Sequence, residues 1–169
     1  MRLSEIKSGD VLCWQGLGLF GKVIRLATGS KFSHVGVAYR SPFSNNLLVA
    51  DAMIGRGVTI TNFRHADQTM WCLPLSSLKL SEDNLQTGRT FIFERLGLKY
   101  SIKDCWHAMC RKPLKAKGYQ CAEFVNEYLQ EMGVQTGIEY PTPARVIDFL
   151  GEPILVNPNP SDIELSAID

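Results

Sequence analysis

Three side chains of this chain could together perform nucleophilic catalysis: His34, Asp51 and Cys121, in that order along the sequence. Cys121 opens an apolar helical repeat directly after Gly118-Tyr119-Gln120. A thiol there faces the free N–H groups at the positive end of a helix dipole, which favour thiolate over thiol. Arg111, Lys112, Lys115 and Lys117 lie just upstream, where they either add to that field or form a solvated loop. His34 sits in an otherwise apolar run, and an unpaired imidazole is costly to bury, so it requires a partner. A backbone carbonyl would satisfy it, as in many core histidines. The small residues Gly36 and Ala38 share its strand face, however, and predict open space beside the ring. Asp51 is the one charged residue in Leu47-Leu48-Val49-Ala50-Asp51-Ala52-Met53. A carboxylate that orients an imidazole, which in turn takes the proton of a thiol, makes a cysteine acyl-transfer site. The backbone N–H of Cys121 would supply part of its oxyanion hole.

Two strands and one helix must position this set. Residues 33–40 alternate, with His34, Gly36 and Ala38 on one face and Val35, Val37 and Tyr39 on the other, and residues 47–53 form a second apolar strand after a loop. If Arg40 stands opposite Leu47, Gly36 faces Asp51 and His34 is its diagonal neighbour. A shift by two residues would put His34 and Asp51 directly opposite. Further strands are expected at 11–14, 58–63 and 71–75, the last near an edge because of Pro74. Apolar spacing predicts helices within 16–30, from the N-cap Ser81 to Leu96, over 101–110, over 121–132 before Gly133, and over 144–150 after Pro141 and Pro143. The expected fold class is α+β, an antiparallel sheet of about four to six strands packed against about three to five helices, the cysteine helix among them. Residues 1–151 read as a single domain and 152–169 as an extended acidic C-terminal tail.

Composition narrows the function classes. With 169 residues, 45% hydrophobic and 21% charged, the chain can build a core without disulfides or a structural metal. A net charge of +1 speaks against a dedicated nucleic-acid binder. Five cysteines, an odd number without CxxC pairs, fit neither a secreted disulfide framework nor a zinc ribbon. Cys13 and Cys72 fall in strands and are expected to pack. Cys105, His107 and Cys110 match no common zinc spacing, so no metal or other cofactor is expected, and Cys105 and Cys110 are read as facing the core. His65, between Arg64 and Asp67, reads as a surface histidine. The start MRLSEIKSGD has no apolar segment and no apolar run is long enough to span a bilayer, which predicts a cytoplasmic protein, or cargo of a phage or secretion system.

The motifs SHVGVAY around His34, VADA around Asp51, GVTITNF, YQCAEFV around Cys121 and the late YPTPARVIDF together resemble one family. It is the circularly permuted branch of the NlpC-type papain-like cysteine hydrolases, the YiiX/YebB-like group, which is related to the lecithin:retinol acyltransferase-like proteins. The resemblance spans roughly residues 8–150 and implies a permuted papain-like fold. It implies Cys121 as nucleophile, His34 as general base and Asp51 as the third catalytic residue, with Tyr100, in LGLKYS, and Gln120 binding substrate. Two positions depart from the pattern: Ala122 stands where serine is frequent, and Asp51 is shorter than the frequent glutamate, so its reach to His34 becomes the critical distance. The implied activity is hydrolysis of an amide bond in a peptide or cell-wall muropeptide through an acyl-thioester on Cys121. A lipid ester or thioester hydrolase, or an acyltransferase, would use the same residues. A catalytically silent binding or structural module would keep the fold alone.

Overall fold

The computed structural model describes residues 1–16, 18–62, 69–112 and 118–157. Its six strands, β1 (Val11–Trp14), β2 (His34–Arg40), β3 (Leu47–Met53), β4 (Gly57–Asn62), β5 (Met70–Leu73) and β6 (Ile154–Leu155), form one sheet in the order β4-β3-β2-β1-β5-β6. Every neighbouring pair is antiparallel. Five helices accompany them: α1 (Leu19–Thr28), α2 (Glu82–Arg95), α3 (Ile102–Met109), α4 (Cys121–Glu131) and α5 (Pro143–Leu150). The α+β expectation therefore holds. β5 ends before Pro74 and lies one strand in from the edge, because the first part of the segment after Gly151 pairs alongside it as β6. Leu17, His65 with its neighbours 63–68, Lys115, Lys117 and residues 158–169 lie outside the described residues.

The sheet has two apolar faces, as strand alternation requires. Val11, Cys13, Val35, Val37, Ala50 and Ala52 share one core with Phe124, Val125, Tyr128 and Leu129 of α4. Leu12, Trp14, Ala38, Val49, Met70 and Cys72 form a smaller core with Ile6 and Val156. α4 lies over β2 and β3, and α2 packs against α4. Three helix starts follow the capping logic of their sequence. Ser81 accepts from Asn84 N, Ser101 from Asp104 N, and Thr142 from Arg145 N just before Pro143 opens α5. Among the described residues no helix is long and apolar enough to cross a membrane.

The β2–β3 hairpin adopts the register with Arg40 opposite Leu47. Ala38 then pairs with Val49 and Val37 with Ala50. One expectation is corrected here: Gly36 does not leave an open space. A Cβ built on it would lie 2.8 Å from Val49 Cγ1, 3.0 Å from Asp51 Cβ and 3.1 Å from Ala50 O. The missing side chain lets β3 close over β2, which brings the Asp51 carboxylate within reach of His34. Gly36→Ala should therefore cost about 1–3 kcal/mol through overpacking, read as a lower denaturation midpoint at unchanged slope. A midpoint equal to the parent's would contradict this role for the glycine.

Candidate active site

His34 is the first residue of β2, and Asp51 lies in the middle of β3 on the same strand face. The Nε2–H of His34 donates to Oδ2 of Asp51 at 2.8 Å, so the shorter carboxylate does span the distance. Asp51 is 2% exposed, and its other oxygen, Oδ1, has no hydrogen-bond partner. Trp14, paired with His34 across β1–β2, lays its ring 4.6 Å from the imidazole centroid at 43°. That tilted contact limits rotation of the histidine ring. Sequence reading did not single out Trp14, although the pairing of the two predicted strands was the available signal.

Cys121 is the first residue of α4 and is buried. Its helix is anchored by Gln120 at the N-cap, whose side-chain oxygen accepts from Ala122 N at 2.9 Å while its amide Nε2 donates to Pro141 O at 2.6 Å. Glu123 completes the cap by accepting from Gln120 N at 3.2 Å. Both polar ends of the Gln120 side chain are thus engaged by the scaffold, and the residue sets where the thiol stands. Burial, reinforced by Asp104 and Glu127 and opposed by the bond from Gln120 N, pushes the Glu123 carboxyl up to about 7. The backbone N–H of Cys121 has no partner among the described residues.

The imidazole interacts with the Cys121 thiol as well as with Asp51. Because Nε2 is committed to Asp51, Nδ1 is the nitrogen left for the sulfur. Burial alone would lower the pKa of this ring. The adjacent Cys121 charge and the bonds to Asp51 and Cys121 outweigh it and push the histidine up to about 10.

Tyr100 stands in the same neighbourhood, paired through its backbone with Tyr119 just before α4. Burial, then the nearby charges of Cys121 and Cys105 and the interaction of its hydroxyl with Cys105, raise that hydroxyl far above the ordinary range. Cys105 is accordingly a neighbour of the site as well as a core residue of α3, and burial pushes its thiol up to about 12. Cys110 is exposed, which corrects the expectation that it faces the core: it follows the last turn of α3 and leaves the buried stripe. Cys13 and Cys72 are buried in β1 and β5 as expected. Arg111 and Lys112 are exposed.

No protein-family model and no curated protein matches the chain. Among solved structures, the fold is similar to the crystal structure of the metalloprotein YiiX from Escherichia coli O157:H7, a member of DUF1105. The two superpose with a TM-score of 0.62 at 18% identity, over 94% of this chain and 91% of the other. The similarity establishes a YiiX-like fold. Metal binding is stated of that protein; here, among the described residues, no three His, Cys, Asp or Glu side chains converge as a metal site would require.

The raised histidine gives a testable sign. A value of about 10 against an ordinary 6.5 means that folding favours the protonated ring. That contribution to stability is complete below pH 6.5 and fades as pH climbs through about 10. An NMR titration should find His34 protonated throughout the neutral range, and Cys121→Ala should lower its midpoint, since burial then acts with less opposition. A parent midpoint near 6.5 would contradict the geometry described.

Proposed function

We propose that the protein is a cysteine hydrolase of the amidase or peptidase type with a permuted papain-like fold, acting on an amide bond in a peptide or cell-wall muropeptide. One observation carries the reading: a single imidazole interacts both with a thiol at a helix N-terminus and with a buried carboxylate 2.8 Å from its Nε2. In this reading His34 Nδ1 takes the proton of Cys121, and Sγ attacks the substrate carbonyl. The oxyanion that forms is met by the backbone N–H of Cys121. The imidazolium returns its proton to the leaving amine as the C–N bond breaks, which leaves an acyl-thioester on Cys121. Water, deprotonated by His34, then cleaves the thioester and restores the thiol. Asp51 holds the ring in one orientation and stabilises its positive charge throughout. In this reading Tyr100, whose hydroxyl interacts with Cys121, contacts the acyl portion of the substrate.

A lipid ester or thioester is the second substrate class, favoured by one feature. Leu19 and Leu26 on α1 and Trp106 on α3 are exposed, and α3 also carries Cys105, the neighbour of Cys121. A panel of muropeptide amides and lipid thioesters separates the two. The proposal expects turnover of an amide, an acyl adduct on Cys121 detected by mass spectrometry, loss of at least about a thousandfold in Cys121→Ala and about 10–100-fold in Asp51→Asn. Turnover that survives Cys121→Ala would overturn it.

A further inference from the structure

We infer that Thr59 is a positioning residue for this site: its hydroxyl donates to Oδ1 of Asp51 and so fixes the plane of the carboxylate that holds His34. Among the described residues, two buried side-chain oxygens have no hydrogen-bond partner, Oδ1 of Asp51 and Oγ1 of Thr59. They belong to residues directly opposite each other in the β3–β4 ladder. Residues so paired point to the same face with their Cβ atoms about 5 Å apart, close enough for a hydroxyl to meet a carboxylate. One atom is an acceptor only, and the other carries a proton and turns between staggered positions about the Cα–Cβ bond. A buried donor and a buried acceptor left apart each lose their hydration, and joining them removes both penalties at once.

The neighbouring polar groups are already committed. Oδ2 of Asp51 is taken by His34, and the Tyr100 hydroxyl, which also lies near Asp51, interacts with Cys105. Thr59 carries the one buried hydroxyl among the described residues that has no partner. The consequence reaches the chemistry only through Asp51. A carboxylate held at one oxygen can swing about its Cβ–Cγ bond and carry the imidazole with it, whereas one held at both oxygens presents Oδ2 to Nε2 in a fixed direction. The inference rests on the cysteine-hydrolase reading for the importance of that direction, but not for the existence of the bond.

Two readouts test it on the full-length protein. The first is the proton NMR signal of His34 Nε2–H, which should be slow to exchange in the parent, broadened in Thr59→Val and restored in Thr59→Ser. The second is the rate at which iodoacetamide alkylates Cys121, which should fall about tenfold in Thr59→Val and recover in Thr59→Ser. Thr61→Val removes a hydroxyl two pairs further along, opposite Val49, and should leave both readouts at the parent level. Should Thr59→Val fail to fold, Thr59→Ala serves in its place. A parent-like Nε2–H signal or a parent-like alkylation rate in a folded Thr59→Val protein overturns the inference. If parental Cys121 is instead no more reactive than exposed Cys110, the hydrolase reading fails, and the Nε2–H signal still decides whether the bond exists.

Discussion

The hydrogen bond between His34 and Asp51 is the constraint around which the rest of the structure is arranged. It places a carboxylate and an imidazole inside a sheet whose surrounding positions are Val, Ala and Trp, where either group alone would pay the full cost of lost hydration. Their pairing removes that cost only where the register of β2 against β3 puts both on one face and within reach. Slipping the hairpin by one residue would send Asp51 to the opposite face, and slipping it by two would change the geometry of the bond. Gly36 is required by the same register, because any side chain there would occupy the volume that Val49 and Asp51 fill.

The helix α4 answers to this sheet. Its Phe124, Val125, Tyr128 and Leu129 bury against the face formed by Val35, Val37, Ala50 and Ala52, which fixes the position of the helix axis. The cap then fixes where the helix begins. Gln120 is held by Ala122 N and Pro141 O, and Glu123 by Gln120 N, so Cys121 starts the first turn with little freedom to slide. Packing thus delivers the thiol to the imidazole. The charge balance of the pair follows from that proximity: burial disfavours a charged ring, and the adjacent sulfur and carboxylate reverse the preference.

Much of this was legible in the sequence because it depends on local signals. The alternation of His34 to Arg40, the N-caps Ser81 and Ser101 and the glycine after α4 each specify an element without reference to distant residues. The register of the β2–β3 hairpin was narrowed to two choices by pattern, and packing at Gly36 selects between them. What escaped were contacts set by strand order and helix docking. The stacking of Trp14 on His34 needs β1 beside β2, the facing of Thr59 and Asp51 needs β4 beside β3, and the approach of Cys105 to the thiol needs α3 docked near the start of α4. Gln120 shows the converse case. The resemblance gives it as a substrate contact, and its amide groups are engaged by the helix start and Pro141.

The most direct test of the account is the pH dependence of Cys121 alkylation, followed by mass spectrometry in the parent, His34→Ala and Asp51→Asn proteins. The account predicts that Cys121, although buried, is modified in preference to the exposed Cys110 at about pH 7, and that this preference disappears in His34→Ala and weakens in Asp51→Asn. Modification of Cys110 ahead of Cys121, or a Cys121 rate that ignores the loss of His34, would contradict it.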